Sequence, residues 1–281
     1  MTPDEVAAAG QLACLLEVSA PKPGNVSPGL HFHDTRYEDF LASAVAIRPA
    51  LAAAGQQCLG ATIRQAVTAT GRWTSSNTNL GIILLLAPLA RAALGTGGSL
   101  RDRLGAVLAA TTVTDAAETY AAIRQARPGG LGSAVREDVA ASPSVTLQQA
   151  MALAADRDSI AREYTTDFST TFEVGAPALR QARAAGLGWS EATVETYLRV
   201  LAERPDTHIA RKLGTGAAGE VSRRAREVQA AGATRTEAGR RALTALDVEL
   251  RSATNARNPG ATADLTCAAL FVVILEGGWH P

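Results

Sequence analysis

A chain of 281 residues with 27 basic and 27 acidic side chains has no net charge. That excludes the broad electropositive footprint of a protein that binds nucleic acid or an acidic membrane surface. Its three cysteines, Cys14, Cys58 and Cys267, are far apart and odd in number, which fits reduced, mostly buried thiols in the cytoplasm rather than a disulfide framework or a zinc site. The longest apolar run, Leu80 to Ala90, falls well short of the roughly 20 residues of a membrane helix. The first residues show no basic segment followed by an apolar core, so a soluble protein without a membrane partner is expected.

Taken in chain order, Thr2-Pro3-Asp4-Glu5 is a capping box with proline at the first helical position, opening a helix that runs through Val6 to Val18. Ser19 to Ser27, SAPKPGNVS, interrupts it. Pro21 and Pro23 hold Lys22 on a stiff, non-helical segment, and Gly24 allows a sharp turn or a close backbone approach. Such a cation suits a phosphate; the alternative is an ordinary helix-ending loop. Thr74 to Asn79 is a polar run before the most apolar helix, Leu80 to Leu94, and either caps it or presents N–H groups to an anion. Ala126 to Thr146, rich in Gly, Pro and Ser, is an excursion between two helical halves. Asp156, Glu163 and Asp167 share a face if their segment is one helix, which serves either Mg²⁺ or solvation.

Val194, Tyr197, Leu198 and Leu201 recur at helical spacing, as do Leu243, Leu246 and Leu250. Between them, Asp206 to Lys212 places an acid, an imidazole and two cations on about two turns, with His208 and Lys212 on one face if helical. Asn255 to Asp264 is a Pro-Gly turn leading into a helix, with Asp264 assigned to its first turn. There it either complements the helix dipole or serves as a catalytic or metal-binding carboxylate. Strict alternation of β-branched residues is nearly absent. The expectation is therefore an all-α protein of about ten or more helices, one compact domain over residues 1–281.

Together these segments resemble the triphosphoribosyl-dephospho-CoA synthase family. SAPKPGNV is similar to its PKPG-L-V signature, and Phe40 and Ser43 fit its F-x-x-S. Asn77-Thr78-Asn79-Leu80-Gly81 follows its NTHKG, Asp206-Thr207-His208 its DTN, and Asn258 to Leu265 its SPGGSADL. The resemblance implies a cytoplasmic, all-helical enzyme that moves the triphosphoribosyl unit of ATP to the 2′-hydroxyl of 3′-dephospho-CoA and releases adenine. Its partners would be these small nucleotides, with Mg²⁺ accompanying the triphosphate, and a homodimer is compatible with it.

Breaking the N-glycosidic bond creates an oxocarbenium-like centre that a carboxylate stabilises, while an acid protonates the departing adenine and a base takes the acceptor hydroxyl proton. Asp34, Asp206 and Asp264 are the candidate carboxylates and metal ligands. Lys22, Lys212 and Arg257 are the phosphate candidates, and Gly24, Asn25, Asn77, Thr78, Asn79 and His208 complete the expected nucleotide contacts. If they serve one nucleotide, the four motif segments converge. This chain departs from the family at Asn79-Leu80, where the family carries His-Lys, and only loosely meets its H-x-D with His31, His33 and Asp34. Two further readings follow: a divergent ribosyl- or phosphoribosyltransferase using ATP or phosphoribosyl pyrophosphate on another alcohol, for example in a modified-folate one-carbon coenzyme pathway, and a non-catalytic helical nucleotide-binding protein.

Overall fold

The capping box at Thr2 is formed: the Thr2 hydroxyl accepts from the Glu5 N–H at 3.2 Å, and Glu5 Oε2 accepts from the Thr2 N–H at 2.7 Å. It opens α1 (Pro3–Ser19) in a computed structural model that describes residues 1–129, 136–251 and 254–279. Among the described residues the chain is all-α with no strand, and a single β-bridge pairs Ser27 with Leu30. The residues fall into two compact units interleaved in sequence, Met1–Cys14 with Glu38–Ser169, and Leu15–Tyr37 with Thr170–Pro281.

The first unit holds α2 (Tyr37–Ala46), α3 (Arg48–Ala52), α4 (Leu59–Thr70), α5 (Leu80–Ala93), α6 (Leu100–Ala109), α7 (Val113–Ala126), α8 (Leu147–Ala152) and α9 (Ser159–Glu163). Three of their starts carry reciprocal caps, Ser99 with Asp102, Thr112 with Asp115 and Thr146 with Gln149. Asp115 has a second task, accepting from the Gly60 N–H at 2.8 Å and so tying the start of α4 to α7. Burial pushes its carboxyl pKa up, but the Gly60 and Thr112 donors outweigh that and hold it below the usual range.

The apolar α5 has Pro88 in its interior. Proline offers no N–H to the carbonyl four residues back, which is that of Leu84. The hydroxyl of fully buried Tyr164 supplies the missing bond at 2.6 Å. The excursion predicted at Ala126–Thr146 lies within this unit rather than between two halves; its residues 130–135 fall outside the described ones. Asp156, Glu163 and Asp167 share no helix face, because α9 ends at Glu163 and Asp167 has φ +47°. Cys14 and Cys267 are buried and Cys58 is exposed, in line with mostly buried thiols.

The second unit holds a π-helical turn (Thr170–Gly175), α10 (Ala176–Ala184), α11 (Trp189–Glu203), α12 (Thr207–Leu213), α13 (Thr215–Ala230), α14 (Glu237–Leu250) and α15 (Gly260–Leu275). The periodic residues Val194, Tyr197, Leu198 and Leu201 pack in one core with Val221 and Val228 of α13 and Leu246 and Leu250 of α14. An apolar sequence all round marks a helix with no solvent face, and α15 is buried along nearly its whole length. Asp264 is its fifth residue, beyond the first turn that the sequence assigned it to, so dipole complementation there is weak.

Candidate active site

Three of the four motif segments meet within the second unit, and the loop after α1 is their hub. Gly24 has φ +74°, and a Cβ on it would lie 2.8 Å from Leu250 Cβ, so only glycine fits. Its N–H donates to Asp247 Oδ1 at 2.8 Å, and its carbonyl accepts from Asn258 Nδ2 at 3.0 Å, 234 positions away in sequence. Asn25 Nδ2 donates to Tyr197 OH at 3.0 Å, and that hydroxyl in turn donates to the Pro23 carbonyl at 2.8 Å. Arg251 closes the loop with a 2.9 Å bond to the Asn25 carbonyl.

Lys22 points inward, contrary to the exposed phosphate cation expected of it. It is 1% exposed, with its ammonium 2.9 Å from Glu17 Oε1. The same ammonium donates to the carbonyls of Glu17 and Ala20, at and just past the end of α1, each of which also accepts a backbone N–H. Two prolines fix the backbone, but where the side chain goes is decided by an acid five residues earlier on α1. Lys22, Gly24 and Asn25 are thus the frame of the site rather than its ligand contacts.

Asp206 is likewise committed. It is 2% exposed, caps α12 through the Ile209 N–H at 3.0 Å, and accepts from both the N–H and the hydroxyl of Thr262 at 2.8 Å. One carboxylate therefore ties α12 to the start of α15. Burial pushes its pKa up against the pull of those donors. With its lone pairs so occupied it is a positioning residue, and the catalytic and metal-ligand roles expected of Asp206 are withdrawn.

The other candidate groups lie around that tie. Gly260 lacks a side chain where a Cβ would come within 3.2 Å of His208 Nδ1, so the turn into α15 presses against the imidazole. Burial, then the charges of Lys212 and Arg211, lower the His208 pKa to about 4, which keeps the ring neutral at pH 7. Lys212 is exposed, and burial of its inner part, then Arg211, lower its pKa while Asp34 and Asp206 act to raise it. Asp34 is exposed beside His33, 3.7 Å from its Nε2, and accepts from the Thr35 hydroxyl at 3.2 Å. Asn255, not singled out from the sequence, holds His33 Nδ1 at 3.2 Å from a left-handed backbone, φ +50°. Arg257 is engaged by Glu249 at 3.4 Å, and Glu249 also pairs with Arg224. Asp264 is half-buried.

The fourth segment belongs to the first unit, where Thr74 to Leu80 line a shallow cleft together with the ends of α4 and α7. Asn77 Oδ1 accepts from the Leu80 N–H at 3.2 Å and caps α5. Buried Asn79 and Thr78 point into the protein, toward the hydroxyls of Thr70 at 3.1 Å and Ser43 at 2.6 Å. Thus Asn77 faces the cleft, and the nucleotide contact expected of Thr78 and Asn79 is reduced to shaping the loop. The Ser43 bond gives a structural reason for the F-x-x-S motif.

Among the described residues no three His, Cys, Asp or Glu side chains gather as a metal site would require. Asp34 and Asp264 keep carboxylates near the motif cluster, but the residues present do not build a protein cage for Mg²⁺.

An all-α fold with its polar motifs drawn to loops and helix starts is the class of protein that the sequence resemblance implies. The family model described as ATP:dephospho-CoA triphosphoribosyl transferase matches residues 3–281, and the chain belongs to that family. A protein of Pseudomonas fluorescens called a probable 2-(5''-triphosphoribosyl)-3'-dephosphocoenzyme-A synthase is 34% identical over 111 residues, 40% of this chain and 38% of that one. A namesake from Pseudomonas syringae pv. syringae is 38% identical over 105 residues, 37% and 35% of the two chains. The matched part thus spans well under half the length of these curated relatives. The crystal structure of a "putative triphosphoribosyl-dephospho-coA synthase" from Archaeoglobus fulgidus superimposes with a TM-score of 0.66 at 27% identity, covering 84% of this chain and 99% of that one.

Proposed function

We propose that the protein transfers the triphosphoribosyl unit of ATP to the 2′-hydroxyl of 3′-dephospho-CoA, with release of adenine, in the cytoplasm. The observation that carries this reading is the family match over residues 3–281, which takes in all four motifs. In the second unit His208 is the group suited to accept the proton of the attacking hydroxyl. Its basicity is depressed by burial and by Lys212 and Arg211, so a triphosphate that cancels those charges raises it when substrate arrives. Lys212 is the cation assigned to that triphosphate, and Arg257, engaged by Glu249, is a second candidate. Asp264, on a rigid helix and outside the dipole-sensitive first turn, is the carboxylate assigned to the ribosyl positive charge. Mg²⁺ enters on the triphosphate as part of the substrate.

One observation favours a second reading, in which the acceptor is a different alcohol. The family's His-Lys is Asn79-Leu80 here, and its DTN is Asp206-Thr207-His208, so the ionisable groups are redistributed relative to the type enzyme. Mass spectrometry after incubation with ATP, Mg²⁺ and dephospho-CoA tests both. Stoichiometric adenine and triphosphoribosyl-dephospho-CoA are expected; release of neither adenine from ATP nor pyrophosphate from phosphoribosyl pyrophosphate with any alcohol acceptor refutes an enzymatic role. Asp264→Asn should lower turnover about 100-fold with substrate affinity near parental, and parental turnover would remove Asp264 from the chemistry.

A further inference from the structure

Of the three tryptophans, two serve each other: Trp189 and Trp279 stack with centroids 4.7 Å apart, and Arg183 lies over Trp189 at 4.6 Å. Trp73 has no ring or cation partner among the described residues and is 66% exposed. In sequence it lies between Gly71 and Thr74, both of which line the cleft of the first unit. The lining carries no charged side chain, which excludes a carboxylate that would repel a nucleotide. Arg72 and Arg127 each follow a lining residue in sequence, Gly71 and Ala126, and among the described residues no ion pair engages either.

The polar groups on the cleft are oriented. Asn77 Oδ1 is held by the Leu80 N–H, which can only donate, so the NH₂ of Asn77 is the group left for a ligand. Gln125 Oε1 is held by the Thr68 hydroxyl at 3.1 Å, leaving its NH₂ in the same position. Two amide donors beside an uncovered indole match a flat heterocycle with ring-nitrogen acceptors at its edge, which describes a purine.

We propose that this cleft is an adenine subsite, in which Trp73 stacks on the base and Asn77 and Gln125 donate to its edge. The inference rests on the transferase reading, because ATP and dephospho-CoA both bring an adenine and the enzyme must hold each. Neither the four motifs nor the family's departures single out Trp73.

The test is tryptophan fluorescence with AMP, ATP, dephospho-CoA and inorganic tripolyphosphate, on the parent chain and on Trp73→Ala and Trp73→Phe. AMP quenches the parent, and the quench disappears in Trp73→Ala. Base stacking on an aromatic side chain sets the expected loss of AMP affinity in Trp73→Ala at roughly tenfold to hundredfold. Trp73→Phe retains most of the affinity, and tripolyphosphate binds all three proteins alike. Whichever of ATP and dephospho-CoA is weakened in parallel identifies the base that stacks. Equal AMP affinity in parent and Trp73→Ala, or no quench by any adenine compound, overturns the subsite. Adenine release by the parent is measured separately: its absence tells against the proposed reaction, while the AMP quench still decides the subsite.

Discussion

Replacing Lys22 by alanine separates a framework cation from a ligand cation. The ammonium is buried against Glu17 Oε1 at 2.9 Å and donates to two backbone carbonyls, and Glu17 itself is 4% exposed. Removing it strands a carboxylate in the interior, and breaking a buried pair from one side costs about 3–5 kcal/mol. At about 2–4 °C per kcal/mol for a domain of this general size, the melting temperature should fall by roughly 10 °C. The companion is Glu17→Met combined with Lys22→Met, which removes both charges and fills their volume. It should recover most of the loss, since a buried pair contributes little beyond what apolar packing supplies. Circular dichroism melts of the parent, both single variants and the double variant give the coupling directly. A Lys22→Ala protein that melts with the parent but has lost nucleotide affinity would refute this reasoning and restore Lys22 to the ligand.

Tyr164→Phe leaves the Leu84 carbonyl without the donor that Pro88 already denies it, a cost of about 1–3 kcal/mol. In a Pro88→Ala background, where the helix regains its own N–H, the same change should cost measurably less by denaturant titration; equal costs would sever the link between the two residues. For His208, a folded pKa of about 4 lies below the unfolded 6.5, so its neutral form stabilises the fold fully above pH 6.5, and that contribution is lost as pH falls through 4. The parent should lose up to about 3 kcal/mol more than His208→Asn between those limits. Identical pH dependence of the two proteins would place the imidazole in solvent.

What could be read from the sequence is what lies within one or two turns of chain. The Thr2 box is closed by an acid three residues on, and the Leu243, Leu246 and Leu250 stripe by spacing alone, because a helix satisfies its backbone and sorts its faces locally. The four motifs were legible for the same reason, as short strings with fixed order. Their chemistry was not. Lys22 on its proline-stiffened loop and Asp206 at its helix start have the residue types of ligand contacts, yet Glu17 and Thr262 claim them. Asp264 falls beyond the first turn because α15 begins at Gly260 itself, within the Pro-Gly turn that Asn258 anchors to Gly24, rather than after it. The sequence by itself determined that the chain is helical and where its polar interruptions fall. Whether a charge in one of them meets solvent or a partner was decided only by tertiary structure, because desolvation and pairing depend on segments hundreds of positions away.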